Sequence, residues 1–466
     1  MRTRFSILVV FVLVLTVVPL AAAAATTGTL TISTNTTLTE DHDGNLIIDT
    51  DGVTLDCDGH TVTGVGAGFG ILLSGRTGVT VKNCEVTNFS IGIHLNGGNN
   101  NTLIGNSAYL NSQRGIELNL SDGNTLDGNQ ADDNGFGAHA TFGFFLNGSS
   151  DNVLTNNSAS GNGETNFGLA EAGPDPNGNT LSHNSASGGD RGFALDGDSN
   201  TFHANTVTDV RVHGFESSAS ADGNIFTDNW VSDAGAQGFR MGGSGNTFTG
   251  NDSHRNGGFG FEDFSVPEAN TYSDNRCIRN GLGESQPAGL CNPSGTFTDD
   301  DGNTFEVDIE WMRWAGITLG CNPAGTLFCP SDSVTRGQMA SFLVRALDLP
   351  SVAGNRFTDV SGTHTANINA LAQAGVTLGC NKAGTLFCPN DKVTREQMGS
   401  FLARALELPA VAGNRFSDVS GSHTANINAI AEAGITLGCN PAGTLFCPRE
   451  FVTRGQMAAF LHRGLG

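Results

Sequence analysis

From about residue 26 to about residue 285 the apolar residues seldom run long. They alternate with polar ones in short bursts bounded by Gly or Asn. Period-two alternation predicts short half-buried strands rather than helices. The bursts recur. The motif Asn-(Thr/Val/Ile)-(Leu/Phe/Tyr)-x-x-Asn begins at Asn101, Asn124, Asn152, Asn179, Asn200, Asn224, Asn246 and Asn270, and Gly replaces its first Asn at Gly52 and Gly78. This predicts ten coils of a parallel β-helix, a rod of roughly 45–50 Å at about 4.8 Å per coil. The second Asn recurs at Asn83, Asn106, Asn129, Asn157, Asn184, Asn205, Asn229, Asn251 and Asn275, with Cys57 in the first coil. Asn accepts left-handed backbone at sharp bends, and stacked amides can bond to one another as a ladder.

A second element, Gly-φ-x, appears at Gly92, Gly115, Gly143, Gly192, Gly214, Gly238 and Gly260. Its φ positions point inward, so Phe193, Phe215, Phe239 and Phe261 are expected to stack in the interior. Its x positions give an outward column: His94, Glu117, Phe145, Ala170, Ala194, Glu216, Arg240 and Glu262.

After residue 296 the period changes. A cysteine pair enclosing Asn-(Pro/Lys)-Ala-Gly-Thr-Leu-Phe recurs at Cys321/Cys329, Cys380/Cys388 and Cys439/Cys447, each copy 59 residues after the last. Thr335-x-x-Gln338, Thr394-x-x-Gln397 and Thr453-x-x-Gln456 read as capping boxes. Met339, Phe342, Leu343, Ala346 and Leu347 then mark one helix face. Ile368, Leu371 and Ala372 mark a shorter helix ended near Gly375. Three helix-loop-helix modules follow, in a small α-helical bundle: residues 286–349 with the junction, 350–408 and 409–466.

The N-terminus bears on compartment. Arg2 and Arg4 precede an apolar run from Phe5 to Leu20, and Ala21 to Ala25 suits cleavage, so residues 1–25 read as a signal peptide. A retained membrane anchor is the alternative. Cleavage leaves 441 residues with 21 basic against 46 acidic side chains, a net charge of −25. That charge argues against nucleic acid and anionic lipid as partners, and against membrane association after cleavage. Lysine is confined to Lys82, Lys382 and Lys392. Ten cysteines in an exported chain read as disulfides. Cys57 pairs with Cys84 across adjacent coils, Cys277 with Cys291 at the junction, and each module closes its own loop. No His neighbours those loops, which argues against zinc.

Two outward clusters are candidates for chemistry: His94 with Glu117, and Glu216, Arg240 and Glu262. The second reads either as an acid–base–acid set, with Arg240 holding a uronate, or as cross-strand ion pairs. Asp41, Asp43, Asp49 and Asp51 are calcium candidates, although Asp and Gly are also ordinary turn residues. No other cofactor is implied. The chain has neither a Gly-x-Ser-x-Gly nor a His-Glu-x-x-His motif.

The Asn-laddered segment, residues 26–285, resembles the right-handed parallel β-helix repeat family, which includes polysaccharide lyases and pectin-degrading enzymes. Asp132-Asp133 is present, but the Gly-His-Gly and Arg-Ile-Lys signatures of the pectin hydrolases are not. The modules, with Phe-x-Asp, Ala-Gly-(Ile/Val) and (Val)-Thr-Arg-x-Gln, resemble S-layer homology modules. That resemblance implies non-covalent attachment to cell-wall polymer through grooves shaped by Arg336, Arg395 and Arg454 with Asp299, Asp359 and Asp418. Phe305, standing where later copies have His364 and His423, sets the first module apart. The expectation is a secreted, wall-anchored protein presenting a β-helix to extracellular glycan or protein. The rival is a wall-tethered polysaccharide lyase, epimerase or hydrolase. A metal-handling β-helix is a third reading, weakened by the lack of stacked His or Met columns.

Overall fold

The computed structural model describes residues 26–135, 141–170, 174–266 and 269–466. The expected signal segment lies outside them. Among the described residues, three parallel sheets of twelve, twelve and eleven strands wrap a single rod. The first sheet runs from Thr26–Thr27 to Arg276–Ile278, the second from Leu30–Ile32 to Gly283–Gln286, and the third from Thr36–Thr37 to Thr271–Ser273. The third sheet carries the ten repeats of the motif plus one earlier coil at Asn35-Thr-Thr.

The ladder forms, and it does more than turn the chain. Along most of its length each Asn accepts twice from the preceding coil. The Asn106 backbone N–H and side-chain Nδ2 both donate to Asn129 Oδ1 (3.0 and 2.9 Å), and Asn106 Nδ2 also donates to Val81 O. Asn129 Nδ2 in turn donates to Leu103 O and Asn157 Oδ1, so both donors and both lone pairs of this buried amide are met without water. The left-handed residue is the one before each Asn, such as Gly105 (φ 59), Asn156 (φ 55), His183 (φ 55) and Asp228 (φ 53). That twist swings the following side chain inward, where its amide lies along the rod axis. The expectation that the ladder Asn itself turns left-handed is therefore corrected by one position.

Asn83 is corrected by the same shift. In its coil, Val79 and Cys84 take the ladder places, their N–H groups donating to Asn101 and Asn106 Oδ1 (2.9 and 3.1 Å). Asn83 adopts φ 54 and donates to Asp56 Oδ1. A further, interrupted ladder runs along another corner through Asn111, Asn134 and Asn162, and through Asn256 and Asn280. It is masked in sequence because Gly189, Val210 and Ala234 break the series.

Inside, Phe144, Phe167, Phe193, Phe215, Phe239 and Phe261 stack with centroids 4.5–4.9 Å apart. Phe202, Phe226, Phe248 and Tyr272 form a second stack, meeting the first edge-on. Such offset and edge contacts add to simple area burial. All five expected disulfides are present: Cys57–Cys84, Cys277–Cys291, Cys321–Cys329, Cys380–Cys388 and Cys439–Cys447.

Six helices follow: α1 (Glu306–Trp314), α2 (Arg336–Ala346), α3 (Thr365–Gln373), α4 (Arg395–Ala405), α5 (Thr424–Glu432) and α6 (Arg454–Leu465). The capping boxes at Thr335, Thr394 and Thr453 are all formed. The modules close into a ring. Val334 N–H donates to Val452 O, Val393 N–H to Val334 O, and Val452 N–H to Val393 O (2.9, 3.0 and 2.9 Å). The second helix of each module packs on the first helix of the next, as α2 on α3, α4 on α5 and α6 on α1.

The ring docks against the last coils of the first sheet. Trp314 Nε1 donates to Asp228 O (2.7 Å), and the fully buried Trp230 packs against Trp314 and His462. Arg276 is forked onto Asp252 (2.8 and 3.2 Å), while Arg279 reaches Glu306 (2.9 Å).

Candidate functional site

Two surfaces bring chemistry-bearing side chains together. On the outer face of the second sheet, register aligns His94, Glu117, Phe145, Gly168, Ala194, Glu216, Arg240 and Glu262 in one column. Gly168 replaces the expected Ala170, which pairs with Asn147 instead. The reason is that Asn166, not Gly168, stands at the glycine position of that coil, accepting from Asn162 Nδ2 (2.8 Å).

Both expected clusters form, and each recruits a neighbour from the column preceding the glycines. His94 Nδ1 lies 3.1 Å from Glu117 Oε2, and Arg114 pairs with the other oxygen. Phe69 stacks on His94 at 4.5 Å, and the Arg114 guanidinium lies 4.5 Å over Phe145. Burial opposes ionisation of Glu117, but its His94 and Arg114 partners outweigh it and hold the carboxyl below the ordinary range. In the second cluster Glu216 sits between Arg191 and Arg240, the latter at 2.9 Å, with His213 at 3.8 Å. Arg240 also reaches Glu262 (3.3 Å) and covers Phe264. The arrangement is an ion-pair chain across adjacent coils. Beside it, burial raises the pKa of Asp196, with Glu216 and Asp175 adding to the effect.

The second surface is the ring of modules. Arg336, Arg395 and Arg454 are each 4% exposed, not the open first-turn side chains their positions allow. Each crosses to the neighbouring module. Arg336 Nε donates to Phe387 O, Arg395 Nε to Phe446 O and Arg454 Nε to Phe328 O (2.7, 2.7 and 2.6 Å). Each guanidinium also lies between two phenylalanine rings, as Arg336 between Phe387 and Phe401. Burial lowers the pKa of all three. Asp299, Asp359 and Asp418 each accept two N–H groups of the disulfide loop, Asp359 from Phe387 and Cys388 (2.8 and 2.7 Å), for example. They fix the loops that receive the arginines.

Against Arg336 lies a groove of about 420 Å³ whose walls include Lys392, Gln397, Arg404 and His423. A hydroxyl–imidazole pair, Ser400 with His423 (2.7 Å), lies beside it, and Ser341 with His364 (2.8 Å) repeats the pair one module earlier. The equivalent positions at the remaining junction are Ala459 and Phe305, which carry no such pair. That junction faces the rod instead, across a cavity of about 370 Å³ lined by Asp233, Arg255, Phe305, Asp308 and His462.

Residues 22–174, 141–278 and 174–307 match the right handed beta helix region family. The chain belongs to it. Residues 356–398 and 415–458 of this β-helix protein match the S-layer homology domain. Among curated relatives, Exoglucanase XynX of Acetivibrio thermocellus is 30% identical over 189 residues, 38% of this chain and 17% of that protein. Amylopullulanase of Thermoanaerobacterium thermosulfurigenes is 30% identical over 179 residues, 36% of this chain and 9% of that protein. The β-helix protein thus spans less than a fifth of either relative's length. Among solved structures, an alginate lyase from Paenibacillus sp. str. FPU-7 superposes with TM-score 0.38 and 13% identity, covering 57% of this chain and 99% of that one. The catalytic domain of GH87 alpha-1,3-glucanase in complex with nigerose gives 0.41 and 14%, covering 57% and 61%.

The aspartates near the N-terminus of the β-helix serve its turns. Asp41 Oδ1 accepts from Thr61 N–H (3.0 Å), Asp51 Oδ1 from Thr77 N–H (3.0 Å) and Asp49 Oδ1 from Thr50 Oγ1, while Asp43 pairs in the first sheet. Sequence reading missed Arg114, Arg191 and His213. The signal was present, since each lies one position before a recurring glycine, at Gly115, Gly192 and Gly214. Lys392, Arg404 and Ser400 were missed for a different reason: they converge only once the ring closes.

His364 yields a pH prediction. Burial, with Arg345 adding to it, lowers its pKa below the ordinary histidine value. The unfolded chain therefore takes up the proton first as pH falls, so stability declines from about pH 6.5 downward. His364→Gln is expected to flatten that acid limb in thermal melts recorded from pH 7.5 to 5. A limb of unchanged slope would show that His364 does not contribute.

Proposed function

We propose that this is a cell-surface protein held to wall polymer by its ring of modules, with the β-helix presented outward to extracellular glycan. What supports the anchoring reading is the groove against Arg336. It gathers Arg336, Lys392 and Arg404 around one aspartate, Asp391, in a chain of net charge −23. A cationic groove on so acidic a chain is complementary to an anion-bearing polymer. Arg336, Arg395 and Arg454 shape the groove floors, and Asp299, Asp359 and Asp418 hold the loops that wall them.

The test is co-sedimentation of the full chain with purified cell walls. The intact chain is expected to sediment with the walls. Lys392→Ala with Arg404→Ala is expected to weaken binding at least about tenfold, the equivalent of one charge-assisted hydrogen bond. An intact chain left in the supernatant sinks the anchoring reading, and undiminished binding by the variant sinks the groove assignment.

A second reading, a wall-tethered hydrolase or lyase, is favoured by one observation. Asp196, its pKa raised chiefly by burial, stands beside Glu216, which is ion-paired with Arg191 and Arg240. A carboxyl whose pKa is raised, set beside an ion-paired carboxylate, suits the role of a general acid. Incubation with uronate and neutral polysaccharides should then release new reducing ends or ultraviolet-absorbing unsaturated products, lost in Asp196→Asn. No product from either polysaccharide class excludes this reading and leaves the face as a binding surface.

A further inference from the structure

The three junctions of the ring are not alike. At two of them a buried serine stands between an asparagine and a histidine. Asn426 Nδ2 donates to Ser400 Oγ (3.0 Å), and Ser400 Oγ lies 2.7 Å from His423 Nδ1. One repeat earlier Asn367 Nδ2 donates to Ser341 Oγ (2.8 Å), which lies 2.8 Å from His364 Nδ1. Both serines are 3% exposed, and among the described residues neither hydroxyl has another partner. An amide nitrogen only donates, so the serine proton has one acceptor within reach, the histidine Nδ1. An imidazole that accepts at Nδ1 carries its hydrogen on Nε2. Each histidine is thereby set as a donor, and no described residue accepts from its Nε2.

Both histidines stand near fixed cations. His423 lines the groove that holds Lys392 and Arg404. Arg345 takes the place of Arg404 one 59-residue repeat earlier. Each arginine is pinned by the loop it crosses, Arg345 Nη1 donating to Ile317 O and Arg404 Nη1 to Val376 O (3.0 and 3.3 Å). The third junction departs at position after position. Phe305 replaces the histidine, Ala459 the serine, Asp308 the asparagine and Phe451 the lysine of the Arg336 groove. Arg463, the equivalent of Arg404, lines the cavity against the rod. Asp308 is bonded to His462 (2.8 Å), which meets Trp230 of the rod edge-on. That junction carries the rod.

We propose that His364 and His423 donate from Nε2 to the wall polymer, positioned by Ser341 with Asn367 and by Ser400 with Asn426, so that the chain has two polymer sites and not three. The inference rests on the anchoring reading and narrows its ligand. A fixed imidazole donor beside a cation fits a saccharide whose anionic group stands next to a further acceptor oxygen.

Co-sedimentation of the full chain with purified cell walls is the test, with thermal melts to show that each variant folds. His423→Asn keeps an acceptor for Ser400 but is too short to donate where Nε2 stood. It and His364→Asn are each expected to weaken binding about tenfold, and together about a hundredfold. His423→Gln restores an amide donor at the Nε2 position and should stay within about threefold of the unchanged chain. Ser400→Ala, which takes the residue of the third junction, should weaken binding in the unchanged chain but add nothing to His423→Gln. It should also spread the His423 ring hydrogen over both nitrogens in nitrogen-15 spectra. Phe451→Ser should leave binding as it was. If the unchanged chain binds walls and both asparagine variants bind equally well, the histidine assignment is overturned and anchoring stands. His423→Gln falling as far as His423→Asn overturns the donor role, and Phe451→Ser falling as far overturns the count of two. An unchanged chain that stays in the supernatant removes anchoring, and this inference with it.

Discussion

Replacing Asn157 by leucine is expected to destabilise the rod by about 3–6 kcal/mol, although no charge is removed and the side-chain volume grows only modestly. Asn157 is 1% exposed and sits mid-ladder. Its Oδ1 accepts from the Asn129 backbone N–H and Nδ2 (2.9 and 3.0 Å), and its own Nδ2 donates to Leu126 O and Asn184 Oδ1 (2.9 and 3.0 Å). Leucine leaves the Asn129 N–H with no acceptor and Leu126 O without this donor, each buried where water does not reach. Orphaned buried groups cost about 1–3 kcal/mol apiece, far more than the net value of a satisfied bond. Because each coil contacts only its neighbours, the break falls in the middle of the stack and splits its cooperativity. Calorimetry of the full chain should show the rod transition lowered and the ring transition unmoved. A loss of under about 1 kcal/mol would mean that the ladder is decorative and the phenylalanine stacks carry the rod. Thr155→Ala, on the outer face of the same coil, is the matched control and should stay within about 0.5 kcal/mol.

That asymmetry between Asn157 and Thr155 explains what the sequence could disclose. A solenoid repeats each contact at each coil, so a local requirement is written as a period. The ladder, the inward phenylalanines, the capping boxes and all five disulfides were legible for this reason. Errors arose where the period slips. Cys57 and Cys84 displace the first coils by a residue, so Asn83 passes for a ladder member. Asn166 usurps a glycine position, so Ala170 passes for an outward residue. The candidate sites were less legible because they depend on closure rather than period. Nothing local says that Arg336 turns away from solvent into the next module's loop, since that loop lies 51 residues onward at Phe387. Arg454 reaches back 126 residues to Phe328, a link that exists only because the ring closes. Asp300 was invisible for the opposite reason. It reads as one more acidic turn residue until its burial, at 1% exposed, is known and Val360 is seen at the equivalent position of the next module.

Arg395→Ala is expected to open the ring, and this separates an arginine that holds the groove from one that merely touches polymer. The side chain donates through Nε to Phe446 O (2.7 Å) and through Nη2 to Gly438 O (3.4 Å), with Phe446 and Phe460 on its two faces at 4.9 and 5.3 Å. One charge-assisted bond is worth about 1.5–3 kcal/mol and a desolvated cation–π contact about 2, so the loss should reach about 3–4 kcal/mol. The position works against the residue, since a cation in the first turn of α4 opposes the helix dipole. That unfavourable placement is tolerated because the Arg395 backbone N–H also donates across the junction, to Glu450 O (2.8 Å), so main chain and side chain tie the same two modules. The ring transition should therefore fall in calorimetry while the rod transition stays, and wall binding should weaken in step with the fraction of ring unfolded. Arg395→Lys keeps the charge but not the fork, and should recover little of the loss. If Arg395→Ala instead abolishes wall binding while the ring melts unchanged, the guanidinium is a polymer contact and the tie between modules rests on main-chain bonds such as Arg395 N–H to Glu450 O and Val452 N–H to Val393 O.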